Sequence, residues 1–351
     1  MTKVIRIGID TSKRFFQIHG IDEAGRVVLR RQLKRHEFLA FFAKLEATVV
    51  GLEACGASHH WARELSRLGH EVKLIPAQRV KPYVSRGKHD AADAAAICEA
   101  MSRPDMTYVP VKTVENQATL MLVGLRERLT RSRTRVANAI RGYAAEFGIT
   151  GAKGKAKLQP LLNRVQQDET VPALARELFT ELAEEHAAIS ARLAAIDAKL
   201  VAWHRSSPIS RSLTQLPGVG PLIASLLVMK TVDPHRFSSS RHFAAWLGLT
   251  PKNHSTAGRN KLGVITKAGD RTLRSVLVVG ATSVVRQVRS GKYRRPMLWL
   301  AELLKRKAPK LAAVALANKI ARIAWKILTT GDSFDAQRAF PSSPRAVAPA
   351  S

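Results

Sequence analysis

The stretch Val4–Lys13 reads Val-Ile-Arg-Ile-Gly-Ile-Asp-Thr-Ser-Lys and contains the first predicted strand and the first acid of the chain. Isoleucines alternate with Arg6 and Gly8, which predicts a strand with one buried face. Gly8 allows another backbone or a phosphate to approach closely. Asp10 stands at the strand end, where a lone aspartate is most often a turn former or a helix cap. A chemical role for Asp10 therefore depends on the acids that follow.

The chain is long and strongly basic. Its 351 residues suggest two or three domains, and its 46% of hydrophobic residues support buried cores. The 57 lysines and arginines against 27 aspartates and glutamates give a net charge of +30, which favours a nucleic-acid partner. Neither a signal peptide nor a membrane-spanning run is recognisable, so no membrane partner is expected. Cys55 and Cys98 lack metal-ligand spacing and are predicted to be buried free thiols in a reducing cytoplasm.

Alternating apolar residues and turn signals predict the order βββαβαβ for the first hundred residues. After the first strand, the predicted strands are Phe15–Ile21, Arg26–Leu33, Thr48–Leu52 and Glu71–Ile75, and the predicted helices are His36–Leu45 and Ser58–Leu68. A further helix is predicted to begin at Asp90. This order is typical of a ribonuclease-H-like domain, an α/β fold whose mixed sheet places strand-end carboxylates next to one another.

Four acids fall where such a sheet brings carboxylates together. Asp10 ends the first strand, Glu53 ends the fourth, and Asp90 and Asp93 are three residues apart on one helix face. Because like charges repel at short range, the cluster favours hard divalent cations, with Mg²⁺ first and Mn²⁺ as a substitute. Two such ions can activate a nucleophile and stabilise the leaving oxygen of a phosphodiester. In the structural alternative, Asp90 caps the helix and Asp93 is a solvated acid of its first turn.

The middle of the chain is predicted to be helical. Thr113–Gly148 has apolar residues on one side and a basic stripe on the other, which favours phosphate contacts. After a linker over Thr150–Lys157, Val171–Trp203 is a second amphipathic helix. The two helices form a predicted hairpin, which either pairs with a second subunit or packs within the chain. The basic stripe comprises Arg126, Arg128, Arg131, Arg133, Arg135 and Arg141.

Residues 205–310 are the most basic part of the chain, with 20 lysines and arginines against 3 acids. Here Leu216–Pro221 reads Leu-Pro-Gly-Val-Gly-Pro before an apolar helix over Leu222–Met229, a pattern that resembles a helix-hairpin-helix. In that motif glycine N–H groups, here those of Gly218 and Gly220, face a phosphate without reading the base sequence. An ordinary Pro/Gly link between two helices is the alternative.

The remaining segments are predicted to alternate between helices and polar connections. A polar loop with a mobile backbone is predicted over Lys252–Arg259, and Ser255 lies in it. Serines in such loops are usually solvated turn residues. The predicted helices around and after the loop lie within Phe237–Pro251, within Ile265–Arg274, and over Gly291–Leu304 and Ala308–Leu328, and Asp332–Ser351 is a predicted disordered tail.

Five motifs together carry a family resemblance. They are Arg6–Lys13, Gly51–Ala54, Lys88–Asp93, Leu216–Gly220 and Gly248–Asp270, and in this order they resemble the DEDD transposases of bacterial insertion sequences of the one-ten/eleven-eleven type. The resemblance implies a RuvC-like metal-binding domain over 1–110, a helical coiled-coil region over 111–204, a mainly helical transposase domain with a catalytic serine over 205–328, and a tail over 329–351. It also implies recombination of donor and target DNA, guided by a structured non-coding bridge RNA, in the bacterial cytoplasm at the nucleoid.

The resemblance also implies roles for individual residues. Asp10, Glu53, Asp90 and Asp93 would hold Mg²⁺, and Ser255 would attack a phosphodiester to form a covalent 5′-phosphoserine. Thr256 stays open as an alternative nucleophile, and Ala257-Gly258 stands where the family commonly has two glycines.

Cations near the serine are candidates for transition-state stabilisation. Their proximity in sequence assigns this role to Arg259, Lys261 and Lys267. Further predicted nucleic-acid contacts are Lys13, Arg126, Arg131, Arg135, Gly218, Gly220, Arg271 and Arg274.

Three functions fit these residues. The main hypothesis is an RNA-guided DNA recombinase, which would act as a dimer or tetramer because exchange between two duplexes needs several strand cuts. The second is a Mg²⁺-dependent junction endonuclease that uses the same four acids with water as the nucleophile. The third is a nucleic-acid-binding regulator that has lost catalysis, and the retention of all four acids disfavours it.

Overall fold

The computed structural model describes residues 3–84, 90–256, 261–293 and 297–340. The chain divides into two compact units, Met1–Gln117 and Ala118–Ser351, each with its own apolar core. No helix in these described ranges is long and apolar enough to cross a membrane. The finer division at residues 110, 204 and 328 stays a prediction.

The first unit is built around a five-stranded mixed sheet. Its elements are β1 (Arg6–Thr11), β2 (Phe15–Ile21), β3 (Val27–Lys34), α1 (Phe38–Phe42), β4 (Val49–Glu53), α2 (Ser58–Arg67), β5 (Glu71–Ile75), α3 (Ala77–Val80), a 3₁₀ turn (Lys81–Tyr83) and α4 (Asp90–Ala100). The strand order is β3-β2-β1-β4-β5. The first three strands are antiparallel, whereas β1, β4 and β5 are parallel to one another. This mixed α/β arrangement is compatible with the predicted ribonuclease-H-like domain.

One face of this sheet carries the core of the first unit. Ile9 of β1 and Phe16 of β2 are fully buried there against α1 and α2. The rings of Phe16, Phe38 and Trp61 meet edge to face, with centroids 4.6 to 5.1 Å apart. Only the middle of the predicted helix over residues 36–45 is helical, and its two buried phenylalanines, Phe38 and Phe42, lie one turn apart on the side that meets this core.

The other face of the sheet receives α4 at two glycines. Gly8 of β1 and Gly51 of β4 are register partners. A Cβ atom at Gly8 would lie 2.2 Å from the Ala94 carbonyl oxygen and 2.6 Å from the Cys98 nitrogen. The Cys98 thiol also points to the Arg6 carbonyl oxygen, at 3.9 Å. Later helix residues therefore lie over earlier strand residues, so α4 runs antiparallel to β1 and its first turn lies at the carboxyl end of that strand.

The second unit is mainly helical. Its elements are α5 (Val114–Glu146), a 3₁₀ turn (Lys155–Lys157), α6 (Leu158–Gln167), α7 (Ala173–Ser206), α8 (Pro208–Leu213), α9 (Pro221–Lys230), α10 (Ser240–Trp246), β6 (Pro251–Asn253), β7 (Leu262–Ile265), α11 (Arg271–Arg289), α12 (Leu298–Arg306), α13 (Pro309–Thr330) and α14 (Ala336–Ala339). Buried residues of α9, α11 and α13 form its largest apolar cluster.

The two long helices α5 and α7 pack against each other within the chain. Arg126 of α5 pairs with Asp197 of α7 at 2.6 Å. Nearer the other end, Ile140 of α5 shares an apolar cluster with Phe179 of α7 and with residues of α6. Residues later in α5 therefore contact residues earlier in α7, so the two helices are antiparallel, as a helical hairpin requires.

Several further segments differ from their predictions. The helix predicted over Gly291–Leu304 is wrong at its start, because α12 begins at Leu298. Helix α6 was not anticipated, and its buried Leu158, Leu161 and Val165 close the end of the α5–α7 pair. The predicted polar loop is wrong in part, because Lys252 and Asn253 belong to a two-stranded hairpin of β6 and β7. In the predicted tail, residues 332–340 include α14, and 341–351 lie outside the described residues.

The segment before residue 341 is held by aromatic contacts. Phe334 and Phe340 both pack against the main cluster of the second unit. The Phe334 N–H donates to the Gln215 side-chain oxygen at 3.3 Å, and the Lys319 amine lies 4.6 Å from the Phe340 ring centroid. These two aromatic side chains distinguish the segment from a solvated tail.

The two cysteines have different environments. Cys98 belongs to α4 and is buried, and burial raises the pKa of its thiol to about 11. Cys55 is exposed, so the prediction that both are buried is wrong for Cys55. It lies in the turn between β4 and α2, where its N–H donates to the Ser58 hydroxyl at 3.0 Å.

Candidate active site

The carboxyl ends of β1 and β4 place two predicted ligands on neighbouring parallel strands. Ile9 and Leu52 are register partners, and Asp10 and Glu53 are the next residue on each strand. Both acids are half-buried. Because side chains at equivalent positions of paired strands point to the same face, Asp10 and Glu53 share the face that receives α4.

The first turn of α4 brings a third carboxylate to this end of the sheet. Burial raises the pKa of Glu53, and the negative charge of Asp93 raises it further. The two carboxylates are therefore within electrostatic reach of each other. Asp90 is the first residue of α4, and its side chain is not among the described ones.

A cation bound between these carboxylates would relieve the electrostatic repulsion between them. Asp10 and Glu53 stand side by side at this end of the sheet, which we name the acid edge together with Asp93, whose charge acts on Glu53. Among the described side chains alone, no group of three or more histidines, cysteines and acids is close enough to count as a metal site. The ligand assignment of the four acids therefore stays a prediction, to which the raised pKa of Glu53 lends physical support.

Ser255 lies beside the exposed β6–β7 hairpin and has defined hydrogen-bond partners. Its N–H donates to the Asn253 side-chain oxygen at 2.9 Å, and its hydroxyl donates to the same oxygen. The Lys261 N–H donates to the Ser255 hydroxyl oxygen at 3.1 Å. The serine is thus oriented by the backbone of the returning strand and by Asn253, a residue that the sequence interpretation missed.

An asparagine two residues before a serine is a recognisable signal. Asn and Asp side chains commonly accept from a backbone N–H two positions onward. The sequence Asn253-His254-Ser255 has this spacing. Thr256, the alternative nucleophile, is exposed, whereas Arg259 lies outside the described residues.

The cations beyond the hairpin take different structural positions. Lys261 and Lys267 are exposed, and Lys267 has a left-handed backbone with φ of 58°. Arg271 is exposed at the start of α11. Arg274 instead supports the turn, because its guanidinium donates to the carbonyl oxygens of Leu247 at 3.0 Å and Ala268 at 2.6 Å.

The glycines of the Leu216–Pro221 turn have unequal environments. Gly218 has φ of 72°, and a Cβ atom there would lie 2.6 Å from the Gly280 carbonyl oxygen of α11. Its first role is therefore close packing. Gly220 has open space around it and precedes α9, beside a cavity of about 900 Å³ that Lys292 also lines.

The predicted cations outside this region are partly paired. Arg126 is engaged by Asp197, and Arg131 pairs with Glu127 at 3.5 Å. Arg135 is exposed on α5, and Lys13 is exposed in the turn between β1 and β2. The predicted nucleic-acid contacts of these residues stay predictions.

Comparisons with known proteins agree in one family. A family model described as "Transposase", of the DEDD type of IS110, matches residues 7–147, and one described as "Transposase IS116/IS110/IS902 family" matches residues 210–295. The chain is 58% identical to a putative transposase of Sinorhizobium fredii, over 95% of this chain and 86% of the relative. It is 46% identical to a probable family 20 transposase of Pseudomonas aeruginosa, over 92% and 96%, respectively. It is 37% identical to the transposase of insertion sequence element IS1111A of Coxiella burnetii, over 93% and 90%.

Proposed function

This chain belongs to the IS116/IS110/IS902 family of insertion-sequence transposases, enzymes that cleave and rejoin DNA, and we propose that it does so through Mg²⁺ and a covalent phosphoserine. DNA is therefore its substrate. The observation that supports the metal part of the proposal is the placement of Asp10 and Glu53 at neighbouring strand ends, with the pKa of Glu53 raised by burial and by the charge of Asp93.

DEDD transposases typically use a divalent metal, and the side chains at the acid edge fit one. Carboxylate oxygens are the ligands that Mg²⁺ prefers, and Mn²⁺ accepts the same set. Asp10, Glu53 and Asp93, together with Asp90, would hold the ion. When bound, it would neutralise charge on the scissile phosphate. Without it, burial and then the charge of Asp93 raise the pKa of Glu53.

The serine part of the proposal rests on the hydrogen bonds of Ser255. The Ser255 hydroxyl donates to the Asn253 side-chain oxygen. Its proton therefore points to Asn253, and a lone pair of the hydroxyl oxygen can face the phosphorus. The Lys261 N–H donates to the same oxygen, and an N–H donor favours the alkoxide that forms as the proton leaves. The Ser255 Oγ–P bond forms while the P–O3′ bond breaks, and the proton that Ser255 loses passes through solvent to the 3′ oxygen, which leaves as a hydroxyl. Attack by another strand's 3′-hydroxyl then reverses these bonds and frees the serine.

Guidance by a bridge RNA and assembly into a dimer or tetramer complete the proposal. Both come from the family resemblance. Residues 205–310 contain 20 lysines and arginines against 3 acids, which supports extensive phosphate contact of the kind that both DNA and RNA would provide. An RNA that pairs with donor and target DNA would leave base reading to pairing and shape recognition to the protein.

The decisive experiment traps the covalent intermediate. The full chain is incubated with donor and target DNA, Mg²⁺ and the RNA encoded beside its reading frame, and protein–DNA adducts are separated under denaturing conditions. We expect an adduct that Ser255→Ala abolishes and Thr256→Ala retains. Omission of the RNA or chelation of Mg²⁺ should also abolish it.

Three other outcomes would change the proposal. Cleavage that persists in Ser255→Ala without any adduct would favour the junction endonuclease that uses water. An adduct lost only in Thr256→Ala would move the nucleophile by one residue. DNA binding without strand exchange under all these conditions would leave the regulator hypothesis.

A further inference from the structure

The acid edge is bordered by an exposed aromatic side chain, that of Phe15. Phe15 is 40% exposed and begins β2, where its neighbour Phe16 is fully buried. Because successive strand residues point to opposite faces, Phe15 and Gln17 lie on the face away from the core. Gln17 is the register partner of Asp10, so Phe15 shares the face and the sheet end of that acid.

Exposed cations flank Phe15 in sequence and on the paired strand. Lys13 and Arg14 form the turn before Phe15, and Lys34 of β3 is its register partner. Arg30 stands farther along the same face of β3, opposite His19. In the described part of the chain none of these four cations forms a salt bridge. An apolar ring among unpaired positive charges is complementary to a base and its phosphates.

The turn that carries Phe15 is held in one conformation. The Ser12 hydroxyl donates to the Phe15 carbonyl oxygen at 2.5 Å and accepts from the Phe15 N–H at 3.1 Å. The Ser12 N–H also donates to the Phe15 carbonyl oxygen, at 3.2 Å. The Arg14 carbonyl oxygen accepts from the Arg35 N–H at 3.0 Å. Because the backbone that carries the ring is already ordered, less conformational entropy is lost when a base covers the ring.

We propose that Lys13, Arg14, Phe15 and Lys34 form a stacking platform for an unpaired nucleotide of the DNA strand that is cut. The proposal rests on the proposed function insofar as a cation held by the acids would bind the neighbouring phosphate. The Phe15 ring offers one face to a base, and only a base that has left its own duplex stack can cover it. The cations contact the flanking phosphates without reading sequence. The platform thus favours a strand opened next to the cleavage point.

The test uses the full chain in chelator, so that cleavage is suspended. Probes are a single-stranded oligodeoxynucleotide with one 2-aminopurine, the same strand in a duplex, and the RNA of the same sequence. We expect Phe15→Ala to weaken single-strand binding about tenfold and to remove the stacking quench of 2-aminopurine, since the aromatic partner of one stacked base is lost. Duplex binding should change less than twofold.

Matched variants keep this test interpretable. Phe15→Trp should retain or strengthen single-strand binding. Val28→Ala removes an exposed apolar side chain of β3, 37% exposed, and should leave it unchanged. Equal single-strand binding by wild type and Phe15→Ala would overturn the proposal, as would an effect of Phe15→Ala confined to the RNA.

The proposed function can fail separately from the platform. Mg²⁺-dependent adduct formation is measured on the wild-type chain in the same preparation. Adducts without a Phe15-dependent stacking signal would overturn the platform alone. A stacking signal without metal-dependent adducts would support the platform as a binding surface and overturn the chemistry proposed for the acid edge.

Discussion

Substitution of Gly8 by alanine should separate α4 from the sheet and so disturb the acid edge. The added Cβ atom would lie 2.2 Å from the Ala94 carbonyl oxygen and 2.6 Å from the Cys98 nitrogen, whereas Cβ atoms in proteins essentially never come within 3.0 Å of such atoms. Both are backbone atoms of α4, so no change of rotamer relieves the overlap. The helix must withdraw by about 0.8 Å at this point.

The withdrawal has two measurable costs. Overpacking of a filled interior destabilises a protein by about 1–3 kcal/mol. Metal and catalytic groups tolerate displacements of roughly 0.5 Å, so a shift of the helix that carries Asp93 should reduce Mg²⁺-dependent cleavage at least about tenfold. Urea unfolding and hydrogen exchange of β1 amides report the first cost, and cleavage across a Mg²⁺ titration reports the second.

Two other glycines calibrate this prediction. Gly51→Ala places its Cβ atom 2.5 Å from the Met101 sulfur, the flexible end of a side chain, so its effect should be milder. Gly142→Ala in α5 meets nothing within 4 Å and should stabilise the chain by about 0.5–1 kcal/mol. If Gly8→Ala matched Gly142→Ala in stability and kept full cleavage, the packing argument would be refuted.

Three further predictions concern separate parts of the chain. Asn253→Ala should slow adduct formation about ten- to hundredfold at unchanged DNA affinity, in single-turnover assays, because Ser255 loses its orienting acceptor. Arg274→Ala should lower the free energy of unfolding by about 1–3 kcal/mol in urea, since two carbonyl oxygens lose their donor. Burial lowers the pKa of His59 to about 4 in the folded chain. As pH drops from 6.5 towards 4, the unfolded chain therefore binds a proton at His59 that the folded chain does not, and the free energy of unfolding should fall. Thermal unfolding of His59→Asn should show a smaller fall over this pH range.

The sheet of the first unit was largely predictable because its strands carry clear local signals. Phe15–Ile21 and Glu71–Ile75 are confirmed residue for residue, and the other strands are confirmed within two residues. Alternation of buried and exposed residues, interrupted by turn residues such as those around Gly25, defines these strands without help from distant contacts.

The hairpin of β6 and β7 was not predictable in the same way. Its strands have three and four residues and are almost wholly exposed, with Leu262 at 66% and Val264 at 71%. No buried face imposes an alternation on them. The polar residues between them therefore indicated a loop, although the Asn253 side chain fixes Ser255 there.

Function and packing are hard to distinguish at glycines and arginines from sequence alone. Gly8 was interpreted as a place for close approach by a backbone or a phosphate, and the structure shows the backbone of α4 there. Gly218 and Arg274 have general features of phosphate contacts, yet each also supports packing within the second unit. Which role a residue has depends on atoms that are distant in sequence.

The same packing that forms the acid edge also makes it electrostatically unfavourable. Gly8 and Gly51 let α4 lie close enough for Asp93 to act on Glu53. Without a cation, this proximity costs free energy, which the apolar contacts of the fold must offset. A bound divalent ion would remove that repulsion and add ligand bonds, so it should stabilise the first unit more than the second. Hydrogen exchange with and without Mg²⁺ should therefore slow most in β1, β4 and α4, and equal protection of both units would contradict a metal site at the acid edge.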